Sequence, residues 1–178
     1  MHGSVLKRGI IAGLLGAAAV AVWFLALDMA AGEPFRTPAA LGNSLLFGGG
    51  QAVSDRLSAS GPTTIPITLR VVAAYTAVHV LAFIVAGFIF VWIADRVENR
   101  PSFLLVAGLA LILLEAFALV NFASTAQWHL GGQGLWTVIV ANILAIAVMG
   151  FYVWQTHPGL RATLEDHGGG GEASHVRV

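Results

Sequence analysis

Long apolar stretches separated by short polar ones dominate this chain. Four runs are rich in Ala, Leu, Val, Ile and Phe: from about Gly9 to Ala31, Leu69 to Ala94, Ser102 to Ser124 and Leu135 to Thr156. Each holds the roughly 20 helical residues that a hydrocarbon core requires. None alternates between apolar and polar positions, as a strand in a transmembrane barrel must, so all are predicted as helices. The pattern predicts an all-α integral membrane four-helix bundle over residues 1–157. The first run follows Lys7 and Arg8 and ends near Ala30 and Ala31, as a secretory signal does. Its apolar part exceeds the roughly 7–15 residues of such a signal, so it is read as a retained span.

The polar intervals are short except for the first, residues 32–68. It begins Gly32-Glu33-Pro34-Phe35-Arg36-Thr37-Pro38. Thr37 followed by Pro38 reads as a helix start, a hydroxyl cap with proline at the first helical position. Ala39 to Phe47 then predicts a short amphipathic or re-entrant helix lying on the outer leaflet or dipping into it. Gly48-Gly49-Gly50 stops it, and Ser58 to Pro66, with two prolines, reads as an irregular linker. Residues 158–178, which include Gly168 to Gly171, are expected to form a flexible tail.

Composition agrees with the pattern. Hydrophobic residues make up 57% of the chain and charged residues 10%, with a mean hydropathy of +0.82. The charged share is well below the roughly 25% of soluble domains. The net charge is zero, so nothing points to nucleic acid as a partner. There is no cysteine, which excludes thiolate metal sites, disulfides and thiol nucleophiles. With four spans, Lys7, Arg8, Arg96, Arg100, Arg161 and Arg177 share one side, against Arg36, Arg56 and Arg70 on the other. The excess marks the cytoplasmic side and places both termini there.

Within the spans a few residues stand out. Gly9, Gly13, Ala17 and Ala21 recur every four residues, a spacing that lets membrane helices pack closely within the chain, onto a second copy or onto a partner. Asp28 falls on the same stripe. His79 lies about 15 Å inside span two, Glu115 about 13 Å inside span three and Asn142 about 10 Å inside span four, all counted from the outer end. Tyr75 stands one turn above His79, and Asn121 lies nearer the outer surface with Asp28. Asp28, Tyr75, His79, Glu115, Asn121 and Asn142 therefore form a polar layer opening outward, with His79 and Glu115 the natural pair. Such a layer serves either as a hydrogen-bonded network that sets helix register or as a ligand, proton or pigment site.

The inner half of the spans reads as plain apolar packing, which argues against a transport path through one chain. His79 alone could ligate a haem or chlorophyll by one axial bond; otherwise no cofactor and no metal site is expected. His129 lies beside Trp128 in the last loop, and His157, His167 and His175 show no ligand spacing. No metalloprotease, hydrolase, phosphate-loop or dinucleotide motif occurs, so an enzyme is not expected.

The run Gly13-Leu14-Leu15-Gly16-Ala17, Trp23-Phe24, Asp28, Gly32 to Pro38, Leu41-Gly42 and Tyr75-Thr76-Ala77-Val78-His79 resembles a group of uncharacterised four-span bacterial inner-membrane proteins. The likeness is best over the first three spans and fades in the tail. It implies a bacterial inner-membrane location and a four-helix fold, and no activity. The residues it marks are Asp28, Gly32, Pro34, Thr37, Pro38 and His79. Two functions are expected. One is a non-enzymatic accessory or assembly subunit of a larger membrane complex. The alternative is a small-molecule, pigment or proton-binding module built on the His/Glu/Asp cluster.

Overall fold

The computed structural model describes residues 2–47, 67–99, 135–157 and Gly159. Four helices lie within them: α1 (His2–Ala30), α2 (Arg36–Phe47), α3 (Leu69–Asn99) and α4 (Leu135–Thr156). Val5–Ala30, Leu69–Val97 and Trp136–Thr156 are long and apolar enough to cross a membrane. The shortest of these, 21 residues, extends about 32 Å, which matches a hydrocarbon core of about 30 Å. The expected span Ser102 to Ser124, with Glu115 and Asn121, lies outside the described residues, as do the 48–66 linker and most of the tail. The expected start of the fourth run at Leu135 and its end at Thr156 agree with α4. The first helix starts well before Gly9 and the second continues past Ala94 to Asn99. Helices run on beyond the apolar stretch because polar side chains at a membrane helix end reach water.

The outward faces of these helices are of the kind that suits lipid. Val78, Leu81, Val85, Ile89 and Trp92 follow one another at three- and four-residue steps along α3, and all are exposed. Trp136, Ile139, Ile143 and Ile146 do the same on α4. Continuous apolar stripes of this length are costly in water and favourable in hydrocarbon.

The inward faces are small. On α1, Gly9 packs on Phe88 and Gly13 on Phe83 and Ile84 of α3. Gly87 returns the contact: a Cβ there would overlap the Gly9 carbonyl oxygen and lie 2.5 Å from the Gly13 nitrogen. A Cβ at Gly13 would overlap the Phe83 carbonyl oxygen. The two backbones therefore touch, which only glycine permits. Gly16 makes the corresponding close approach to Met149 of α4. The stripe seen in the sequence is thus used within the chain at Gly9, Gly13 and Ala17, while Ala21 is exposed.

These contacts fix helix directions. Gly9 meets Phe88, whereas Ala17 meets His79, so α3 runs antiparallel to α1. Arg8 meets His157, whereas Trp23 donates from Nε1 to the Thr137 carbonyl at 2.9 Å, so α4 is antiparallel to α1 as well. Consequently α3 and α4 run parallel. One apolar cluster, Ala12, Val91, Ala94 and Val153, fills the end near Arg8. A second, Val20, Ala141 and Ala145 with Trp23, Phe24 and Phe83 around it, lies toward Asp28.

Candidate functional site

The site begins where α1 ends. The Gly32 amide donates to the Met29 carbonyl and the Glu33 amide to the Asp28 carbonyl, with Gly32 at φ +75°. This is the Schellman pattern, and a left-handed glycine is what it needs. Three residues on, Phe35 also adopts a positive φ of 67°. A bulky residue held there stores roughly 1–2 kcal/mol of strain. The Phe35 carbonyl accepts from the Ala39 amide at 3.1 Å, which makes Phe35 the N-cap of α2.

A phenylalanine has no side-chain acceptor, so the cap comes from elsewhere. Asp28, fully buried, accepts from the Thr37 amide at 2.8 Å and from the Thr37 hydroxyl at 2.7 Å. The carboxylate at the end of one helix thus caps the start of the next, where the helix dipole also favours negative charge. This corrects the reading of Thr37 as the cap with Pro38 as the first helical residue. The helix starts at Arg36, Thr37 donates to the cap rather than being it, and Pro38 sits third, where its missing N–H still costs nothing. A surface ion pair, Glu33 to Arg36 at 2.9 Å, spans the same turn.

Seated this way, α2 lies across the outermost turns of α3. A Cβ at Gly42 would come within 2.7 Å of Val71 Cγ1, so only glycine lets α2 approach. Asn43, buried, donates to the Ala39 carbonyl at 2.8 Å. Between α1, α2 and α3 this leaves a cleft of about 160 Å3. Its walls are Val20, Ala21, Phe24 and Leu25 of α1, Phe35 and Pro38 at the α2 start, and Val72 of α3. Its polar positions are Asp28, Thr37, Tyr75, Thr76 and His79.

His79 is held on both sides. Its ring lies between Tyr75, centroids 5.7 Å apart, and Phe83, 4.8 Å apart. Its Nε2 is 3.3 Å from the Ala17 carbonyl oxygen, to which it donates. That bond places the proton on Nε2 in the neutral ring and leaves Nδ1 an acceptor. Among the described residues nothing donates to Nδ1. The Tyr75 hydroxyl likewise has no hydrogen-bond partner among them. The Thr76 hydroxyl is occupied, donating to the Val72 carbonyl at 2.8 Å.

The expected polar layer is therefore brought together in part. Asp28, Tyr75 and His79 line one cleft with Thr37 and Pro38; Pro34 is exposed at the turn. Asn142 is half-buried on α4 and does not line the cleft. Glu115, the expected partner of His79, and Asn121 lie outside the described residues. Among the described residues no group of His, Asp and Glu could hold a metal ion. Axial ligation of a haem or chlorophyll through Nε2 would require the His79 ring to turn away from Ala17.

A second polar cluster sits at the opposite end, where the sequence pattern gives no sign of one. His157, 2% exposed, places Nε2 3.0 Å from Asp95 Oδ1 and 3.3 Å from an Arg8 guanidinium nitrogen. Its Nδ1 lies 3.1 Å from the Val153 carbonyl oxygen and 3.2 Å from the Thr156 hydroxyl. One imidazole thus ties the ends of α1, α3 and α4. His157, which shows no ligand spacing in the sequence, thus has a structural role, at a level just outside the apolar runs. Each partner sits just beyond an apolar run, and the span count alone puts all three at the same end. Between the two clusters the packing is apolar: nine residues separate Arg8 from Ala17, about 13 Å of helix.

Comparison with protein-family models, with curated proteins and with solved structures finds no match.

Proposed function

We propose that this protein is a non-enzymatic membrane module that binds a small, largely apolar molecule in the cleft between α1, α2 and α3. The observation that carries the reading is the cleft itself. A void of about 160 Å3 is large for a packed helical protein and matches engineered cavities of about 150 Å3 that take up benzene. Its walls are mostly apolar, with a few polar groups among them, the usual make-up of a small-molecule site. The lid helix α2 is held by a buried carboxylate and a strained turn, more than a mere connection needs.

The topology belongs to the same proposal. Because α3 and α4 run parallel, the chain leaves α3 at the Arg8 end and enters α4 at the Asp28 end. Residues 100–134 join those two ends, which supports a fourth crossing and a four-helix bundle. The charge distribution supports a cytoplasmic Arg8 end, with both termini inside, and an outward-facing cleft. The resemblance noted in the sequence favours a bacterial inner membrane. The chain lacks cysteine, so Lys7→Cys, Glu33→Cys, Arg100→Cys and Gly132→Cys report the topology directly. An impermeant thiol reagent applied from outside should label positions 33 and 132 only.

The reading as an accessory subunit rests on a chain made almost wholly of spans, without a soluble catalytic domain, and on the small-residue stripe as a contact for another protein. That stripe is filled by α3, and the faces left outward carry large side chains of the kind that meets lipid. The deciding experiment is native mass spectrometry after mild detergent extraction. A bound small molecule should appear on the wild type and be absent from Ala21→Trp, whose indole fills the cleft. A co-purified polypeptide with no small molecule on either form would favour the accessory role instead.

A further inference from the structure

The cleft has a hydrogen-bond polarity, and that polarity selects its occupant. His79, which lines the cleft, gives its Nε2 proton to the Ala17 carbonyl, so the ring keeps a lone pair at Nδ1 as its free acceptor. Asp28 is an acceptor already turned toward Thr37. Tyr75 can give or take a hydrogen bond. Among the described residues no lysine or arginine lines the cleft. A carboxylate or phosphate in this space would therefore meet a buried carboxylate and, among the described residues, no cation, and an ammonium would have to leave its water for mostly apolar walls. A neutral molecule with a hydroxyl to donate fits the groups present. The Tyr75, His79 and Phe24 rings around an opening of this size suit an aromatic or similarly flat body.

Resting on the binding role proposed above, we infer that the occupant is a neutral, ring-sized apolar molecule carrying a hydroxyl group, which donates to His79 Nδ1. Tyr75 contributes the second polar contact, to the oxygen of the same hydroxyl. Phe35, at its positive φ, and Pro38 add apolar wall at the start of α2.

The test uses the full chain in detergent with two fluorinated probes observed by 19F NMR. One is 4-fluorophenol, which donates; the other is 4-fluoroanisole, its methyl ether, which only accepts. Ala21→Trp protein in the same detergent gives the baseline for partition into micelles. The wild type is expected to bind the phenol roughly tenfold more tightly than the ether, the worth of one hydrogen bond. In His79→Phe that preference should collapse to about one. In Tyr75→Phe both probes should weaken together and the preference should persist, because both carry the oxygen that Tyr75 contacts. Equal binding of the two probes to wild type would overturn the donor assignment and leave the cleft as a binding site. Binding of neither above the baseline would overturn both. A 4-fluorobenzoate that binds as well as the phenol would also overturn it, since the described lining residues offer no cation.

Discussion

Replacing Asp28 by alanine removes the carboxylate that joins α1 to α2. In the wild type it takes up the Thr37 amide and the Thr37 hydroxyl, at 2.8 and 2.7 Å, in a fully buried position. Hydrogen bonds to a charged group are worth about 1.5–3 kcal/mol each, and a lost helix cap about 1 kcal/mol. The contributions overlap, so about 3 kcal/mol is expected for the seating of α2. Because α2 can lift while the long helices stay packed, a global melting curve underreports this loss. Amide hydrogen exchange at Thr37 reads it directly: 3 kcal/mol corresponds to roughly a hundredfold faster exchange when exchange proceeds through local opening. Thr37→Val isolates the hydroxyl, and the double variant should show clear non-additivity with Asp28→Ala. Unchanged protection at Thr37 in Asp28→Ala, or simple additivity of the pair, would refute the idea that this carboxylate seats the helix.

Other consequences are as specific. Gly13→Ala should lower thermal stability in detergent by about 2 kcal/mol or more, because the new methyl meets the α3 backbone. Ala18→Leu, on the exposed side of the same helix, should change it by less than about 0.5 kcal/mol. Asp95→Asn combined with His157→Ala should give a coupling energy of about 1–2 kcal/mol in a double-mutant cycle, less than for a fully buried pair because Asp95 is partly exposed. Trp23→Phe should cost about 1 kcal/mol through loss of the bond to the Thr137 carbonyl.

The long helices are legible in the sequence because a run of twenty or more apolar residues cannot be kept in water at this length. Glycine spacing on α1 is legible as a close-packing face, and it is one. Which surface covers it is not, since Gly87 gives no signal until α3 is known to run antiparallel in that register. The start of α2 escapes a local reading because its cap lies nine residues upstream, across a turn. His79 stands out as a polar residue in an apolar span, yet its proton goes to a backbone carbonyl, and backbone acceptors leave no mark in a sequence. The Arg8, Asp95 and His157 cluster is hidden differently. Along the chain each residue belongs to its own terminus, turn or tail, and only the common end of three helices brings them together.

Asp28 ends one helix with its backbone and begins another with its side chain. Both roles are filled by partners within nine residues, so the corner can form as soon as Thr37 has been synthesised. The corner is thus encoded locally, between Asp28 and Thr37, while the body of α2 packs on α3, where Gly42 meets Val71 and Tyr75. One residue therefore joins a local turn to a long-range seat, and the cleft lies between the two.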